Sequence, residues 1–108
     1  MTRALPKNES ETSVRTPRAD FFRGDAGYAI HVDLPGVTTE ELELDVRDQR
    51  LLITGDSKPL NLRYRRSFRV PRDADMASVE ANLAHGVLRV RVPRVASAAS
   101  TKIPVSDG

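Results

Sequence analysis

Apolar residues recur at every second position in five segments of this chain. The alternation runs through residues 28–34, 42–46, 62–70, 79–83 and 87–92, and charged or small polar residues fill the positions between. A period of two places successive side chains on opposite faces of an extended backbone. Each segment is therefore predicted to be a β-strand with one face in the core and one in water.

Turn residues separate these segments at short intervals. His85-Gly86 lies between residues 79–83 and 87–92 and predicts a tight hairpin, because Gly accepts a positive φ without a Cβ clash. Pro35-Gly36 fits the central positions of a type II turn, and Pro93 ends the last strand because it cannot donate to a ladder. Residues 38–41, Thr-Thr-Glu-Glu, predict a single helical turn with a Thr cap and early acids.

About seven short strands with no helical periodicity of useful length predict an all-β fold, an antiparallel β-sandwich. Residues 17–94 form the predicted sandwich. Residues 1–16 are polar and predict a flexible N-terminal arm, because they hold too little apolar surface to offset the entropy of ordering. Residues 95–108 are rich in Ala, Ser and Thr and predict a flexible C-terminal extension.

The composition indicates the cellular compartment in which the chain is expected and the kinds of partner that its charge could favour. The 108 residues include no cysteine, so disulfides and thiol chemistry are excluded, and no apolar run reaches the length of a membrane span. The first residues also lack an apolar run of signal-peptide length, and we expect a cytoplasmic protein. The net charge of +2 divides unevenly, with −3 over residues 1–60 and +5 over residues 61–108. Such a dipolar chain could pair with copies of itself or with charged clients, or its strands could simply expose different charges.

Catalytic and metal-binding chemistry finds no support in the sequence. The two histidines, His31 and His85, lie on a polar strand face and in a turn, without an acid or a second histidine at ligand spacing. Acids such as Asp73 and Asp75 fall in turns, where they serve as caps and aid solubility. We expect no enzyme activity, no metal and no cofactor.

A run of arginines between residues 63 and 72 suggests a nucleic-acid surface at first sight. In the alternation, however, Tyr64 and Phe68 face inward while Arg63, Arg65 and Arg69 face solvent. Because a stacking platform needs aromatic rings on the same face as the cations, we expect no nucleic-acid binding. Arg66 falls on the apolar side, which suggests that it reaches a carboxylate at a sheet edge or across an interface.

The triplet Ile103-Pro104-Val105 interrupts the polar C-terminal extension. Proline holds the two aliphatic side chains extended and two positions apart, so that they point to the same side. Such a peptide can insert two aliphatic anchors into a groove at a sheet edge. The alternative is a chance pair of aliphatic residues in a disordered tail.

Several short motifs, taken together and in order, resemble the small heat-shock protein family. They are Ala19-Asp20-Phe21-Phe22, Asp33-Leu34-Pro35-Gly36-Val37, Leu51-Leu52-Ile53-Thr54-Gly55, Ser67-Phe68-Arg69-Val70-Pro71, the Ala81 to Leu88 signature with Gly86-Val87-Leu88, and the tail triplet. The resemblance covers about residues 17–93 plus the tail. It implies an immunoglobulin-like β-sandwich, the α-crystallin domain, and an ATP-independent chaperone that holds unfolding client proteins and prevents their aggregation.

The resemblance also implies specific contacts within a homo-oligomer. The tail triplet of one subunit would dock between two strands of another, and the docking groove corresponds to Leu42, Leu44, Val46, Val79, Ala81 and Leu83. Arg66 matches a family arginine near the dimer interface, and its strand neighbours Tyr64 and Phe68 complete the predicted dimer contacts.

Two departures from the family pattern qualify these expectations. Residues 56–61 are far too few for the long loop and swapped strand that many members use to dimerise, and the predicted arm is short and poor in aromatic residues. Dimers could instead form by edge pairing of residues 62–70, and we expect smaller or more labile oligomers. The alternative function is the related co-chaperone type of sandwich, a binding module that does not itself oligomerise.

Overall fold

Alternating burial along the strands builds two four-stranded sheets in the computed structural model, which describes residues 13–95. The strands are β1 Ser13–Arg15, β2 Ala19–Arg23, β3 Gly27–Asp33, β4 Val37–Arg47, β5 Arg50–Ser57, β6 Leu62–Arg69, β7 Glu80–Ala84 and β8 Val87–Pro93. One sheet has the strand order β1-β6-β5-β4 and the other β2-β3-β8-β7. A single 3₁₀ helix, Met76–Ser78, precedes β7 within the described range.

The core lies between the inward faces of the two sheets. In β3 and β8 the buried partners Ile30 and Val90 are directly paired, and Leu51 and Ile53 of β5 supply the facing layer with no exposed surface. Such packing of two largely antiparallel sheets is an immunoglobulin-like β-sandwich. The predicted all-β sandwich is confirmed.

The first described strand and the number of strands differ from the expectation. Residues 13–15, assigned to the flexible arm, form β1 and run parallel to Leu62–Tyr64 of β6. The sheet therefore contains one parallel pair, and the strands number eight in the described range rather than seven. An unpaired β6 edge offers free N–H and C=O groups, and three residues are enough to satisfy part of it.

The helical turn predicted for residues 38–41 is also wrong. These residues belong to β4, within an irregular stretch where the pairing with β5 shifts between Val37 and Leu42. The Thr38 hydroxyl donates to the Glu41 carboxylate at 3.2 Å. The Thr and Glu residues that suggested a capped helical turn thus lie at a bulge, where extra residues interrupt the ladder.

Two predicted turns are confirmed by their backbone angles. His85 and Gly86 have φ values of 52° and 76°, as a two-residue hairpin of type I′ requires. Gly36 has a φ of +82°, and a Cβ built there would lie 2.2 Å from the Oγ of Ser57. Ser57 is 1% exposed, so its hydroxyl has little room to move.

We expect Gly36→Ala to lower the free energy of unfolding by about 1–3 kcal/mol, because a side chain there meets both a positive φ and the buried Ser57. Gly24→Ala is the matched control, since a Cβ at Gly24 has no atom within 4 Å. Urea denaturation of both variants measures the difference. Equal midpoints for the two variants would contradict the requirement for glycine at this turn.

A polar cluster links Arg94, which follows β8, to Tyr28 of β3 and to the turn between β2 and β3. The Tyr28 hydroxyl donates to Asp73 at 2.5 Å, and Arg94 forms an ion pair with the same carboxylate. The Arg94 guanidinium also donates to the Gly24 carbonyl at 2.9 Å and lies 5.0 Å from the centre of the Tyr28 ring. The hydrogen bond from Tyr28 and the charge of Arg94 lower the pKa of Asp73, and the bond to Asp73 raises the pKa of Tyr28.

This cluster predicts a pH dependence of stability with a defined sign. A carboxyl group whose pKa is lower in the folded state stabilises the fold above its unfolded value of about 3.9, and this stabilisation is lost as the pH falls through the folded value. A tyrosine whose pKa is raised acts in the opposite sense and loses its contribution only above about pH 10. The cluster contributes fully between these limits.

We expect Asp73→Asn to be less stable than the unmodified chain at neutral pH and to lose less stability on acidification, since the group that titrates is gone. Urea midpoints at several pH values between about 7 and 3 measure the two slopes. Asp25→Asn is the control, because Asp25 is exposed in a neighbouring turn. Parallel slopes for the Asp73 variant and the unmodified chain would refute this role.

Candidate docking surface

Two aliphatic rows lie on the outermost strands of the two sheets. The β4 row consists of Leu42, Leu44 and Val46, and the β7 row consists of Val79, Ala81 and Leu83. Strand β4 ends one sheet and β7 ends the other, so each row has a paired strand on one side only. Edge strands of this kind expose backbone groups and side chains to any segment that approaches them.

The members of the rows are only partly covered. Leu42, Leu44, Val79 and Leu83 are half-buried and pack against the core, whereas Val46 is 40% exposed and Ala81 is also exposed. In the ladders, Leu44 is paired with the buried Ile53, and Leu83 is paired with the buried Leu88. The two rows therefore extend the buried core to the exposed edges of the sheets.

Two contacts indicate that the rows border the same side of the sandwich. The Leu34 amide donates to the Gly86 carbonyl at 2.7 Å, which joins the β7–β8 turn to the connection that leads into β4. At the other side, Arg66 of β6 donates to the carbonyl of Pro17, just before β2, at 2.9 Å. Strand β6 thus lies over β2, and the remaining edges, β4 and β7, are left on the opposite side.

Gly55 on β5 lets the start of the β4 row pack inward. It is paired with Leu42, and a Cβ at this position would lie 3.0 Å from Val37 Cγ1 and 3.6 Å from Leu42 Cδ1. The absence of a side chain here provides the space that those two residues fill. The sequence identified Gly55 only as the last residue of an apolar strand, because the cross-strand neighbour that matters is not local.

An ion pair lies at the bulged end of β4. Lys58 Nζ lies 3.0 Å from Glu41 Oε2, and Thr38 also donates to this carboxylate. The bond from Lys58, supported by that from Thr38, lowers the pKa of Glu41. Charge therefore stands next to Leu42 at one end of the β4 row.

The residues predicted for a dimer interface are placed differently from one another. Tyr64 and Phe68 are buried in the core at 8% and 9% exposure, and their place in a dimer interface stays a prediction. Arg66 remains half-buried, with its guanidinium 4.9 Å from the centre of the Phe68 ring. It donates to the backbone carbonyl of Pro17 instead of the expected carboxylate.

The remaining predictions concern the tail triplet, metal binding and membrane-spanning segments. The tail triplet Ile103, Pro104 and Val105 lies outside the described residues. Among residues 13–95, no cluster of three potential metal ligands occurs, and His31 packs its ring 4.8 Å from that of Phe22. None of the helical residues described forms a segment long and apolar enough to cross a membrane.

Comparison with known proteins agrees with this architecture. A profile of the Hsp20/alpha crystallin family matches residues 20–106. The 16.9 kDa class I heat shock protein 1 of Triticum aestivum is 30% identical over 107 residues, which cover 84% of this chain and 71% of that protein. Small heat shock protein C2 of Rickettsia felis is 24% identical over 115 residues, covering 94% of this chain and 75% of the relative.

Solved structures show the same fold. Heat shock protein 16.0 from Schizosaccharomyces pombe superposes with a TM-score of 0.69 at 24% identity, covering 87% of this chain and 99% of that one. A small heat-shock protein from Xylella fastidiosa gives the same TM-score at 24% identity and covers 86% and 98% of the two chains. With the family profile spanning most of the sequence, the chain belongs to the Hsp20/alpha crystallin family, the small heat-shock proteins.

Proposed function

We propose that this member of a chaperone family is an ATP-independent holdase, which binds unfolding client proteins in the cytoplasm and prevents their aggregation. The observation that supports the proposal is the pair of half-covered aliphatic rows on the edge strands β4 and β7. Exposed apolar surface is unfavourable in water, so such rows favour association with apolar segments. Nothing in this binding consumes a nucleotide.

The same rows provide the route to a homo-oligomer. The segment Ile103-Pro104-Val105 presents two aliphatic side chains at a spacing that matches the two-residue repeat of an extended edge. Docked on the β4 and β7 rows of another subunit, it would cover them at rest and link the chains. In this proposal residues 95–108 act as a tether.

The proposed tail also regulates access to the rows. Tail and client compete for one surface, so the population of open subunits depends on how tightly the tail docks. A weakly held tail keeps the rows covered when few clients are present and releases them when clients accumulate. Assembly and client binding are then opposite states of the same surface.

We expect the double variant Ile103→Ala/Val105→Ala to form smaller particles than the unmodified chain. Loss of both anchors removes about 2–4 kcal/mol per docked tail. Light scattering coupled to size-exclusion chromatography measures the particle mass. The exchanged variant Ile103→Val/Val105→Ile is the matched control, because it keeps both aliphatic side chains. An unchanged mass in the alanine variant would contradict tail docking, and a monomer in every case would favour the co-chaperone type of binding module.

The substitution Ala81→Glu tests the β7 row as the docking surface for the tail. Ala81 is exposed within the β7 row, so the charge does not enter the core but obstructs an aliphatic ligand. We expect a shift to smaller particles similar to that caused by the tail variant. Asn82→Glu, on the opposite face of the same strand, is the control and should leave the mass unchanged. Equal effects of the two substitutions would place the tail elsewhere.

Holdase activity is measured by light scattering of a thermally unfolding enzyme, such as citrate synthase, with and without ATP. We expect suppression that rises with chaperone concentration and is unaffected by nucleotide. The tail variant should suppress scattering at least as well per subunit, because its rows are no longer in competition. Suppression no better than that by an equal mass of lysozyme would refute the function, and loss of suppression only in the tail variant would assign client binding to the assembly instead.

A further inference from the structure

The outer face of the β4–β5–β6 sheet carries an unusual row of like charges. Arg47, Arg50 and Arg69 are direct cross-strand neighbours, since Arg47 pairs with Arg50 and Arg50 pairs with Arg69. Neighbouring strands are only about 4.8 Å apart, so three positive side chains start side by side. Like charges directly opposite one another destabilise a sheet. This arrangement therefore does not stabilise the folded chain by itself.

The charges of this row are poorly compensated by the chain itself. Farther along the same face, Arg63 binds Asp56 through two hydrogen bonds of 2.7 and 3.1 Å, and this contact lowers the pKa of Asp56. Within residues 13–95, the row has only a marginal ion pair between Arg47 and Asp45, at 3.9 Å and between highly exposed groups. The contrast shows that this face can neutralise an arginine and does not do so at the row.

Two open depressions of about 650 Å³ each lie beside the row. Arg65 and Arg66 line the first and Arg69 and Arg72 line the second, and both are bordered by Arg47 and Arg50. Asp45 is the carboxylate of the first and Asp48 that of the second. Positive charge thus exceeds negative charge threefold around a concave surface, a setting that raises the local concentration of anions.

We propose that this arginine face, Arg47, Arg50, Arg65, Arg69 and Arg72, binds a chain of linked phosphate groups. Guanidinium groups match phosphate oxygens with paired N–H donors, and several of them in a row suit a ligand that repeats its charge. The outward residues of these three strands include no aromatic side chain in the described range, so nucleic-acid bases would find no stacking partner. The face therefore favours phosphate chains over nucleic acid.

Free polyphosphate and the triphosphate group of a nucleotide share this chemistry, and a competition experiment separates them. A fluorescein-labelled polyphosphate is bound to the full chain and followed by fluorescence anisotropy, with tripolyphosphate, ATP, AMP and an oligothymidylate as competitors. We expect displacement by tripolyphosphate and little by AMP, and binding that weakens steeply with added salt. Displacement by ATP as strong as by tripolyphosphate would assign the site to nucleotide tails, whereas weaker displacement would assign it to free polyphosphate.

The variant Arg50→Gln/Arg69→Gln removes the centre and one end of the row. We expect about tenfold weaker binding and a melting temperature no lower than that of the unmodified chain, because like-charge repulsion is relieved. Arg89→Gln/Arg91→Gln is the matched control: it removes the same charge from exposed positions on the outer face of the other sheet. Equal losses in the two variants would reduce the effect to net charge and overturn the proposal. The proposal would also be overturned if oligothymidylate competed as well as polyphosphate of equal charge.

This proposal does not depend on the holdase function. The arginine face and the aliphatic rows use different faces of the sandwich, so either can fail in its own assay while the other stands.

Discussion

The packing of two inward sheet faces against each other is the constraint from which the other features follow. Ile30, Leu51, Ile53, Leu88 and Val90 are fully buried between the sheets, and each requires its strand neighbours to point outward. Within residues 13–95 each sheet has four strands, with β4 at the edge of one and β7 at the edge of the other. On these edge strands, the inward-facing aliphatic rows are only partly covered by the facing sheet. Half-exposed aliphatic side chains on β4 and β7 are thus a direct consequence of closing a core with open sheets instead of a barrel.

Much of this fold was predictable from the sequence because alternation and turn chemistry are local signals. Gly36 and the His85–Gly86 turn were identified correctly, since a positive φ leaves its mark on the residue that adopts it. The β1 strand was missed because its pairing with β6 joins segments almost fifty residues apart, and three residues with a single valine are too few to show a pattern. The bulge at residues 38–41 was mistaken for a helical turn because a Thr followed by acids is also typical of a capped helix start.

The candidate site was predictable in part for the same reason. The β4 and β7 rows follow from alternation alone, but their partial exposure follows from the order of strands in each sheet, which local patterns do not encode. The alternation also placed Tyr64 and Phe68 on the inward face, and their burial agrees with that pattern, whereas the dimer interface implied by the family resemblance stays a prediction. The cluster of Tyr28, Asp73 and Arg94 was invisible, since it joins a strand, a turn and the chain after β8.

The apolar edge and the cationic outer face respond to different solution conditions, and this separates their roles physically. The proposed docking on the aliphatic rows would be driven by removal of apolar surface from water, which weakens on cooling and is little reduced by moderate salt. Attraction of an anion to Arg50 and Arg69 is electrostatic at an exposed surface, so it falls as the Debye length shortens from about 10 Å at 0.1 M salt to about 3 Å at 1 M. Raising the ionic strength should therefore strip anions from the outer face while leaving the β4 and β7 rows competent. A salt titration of the unmodified chain can accordingly assign an observed interaction to one surface or the other without any substitution.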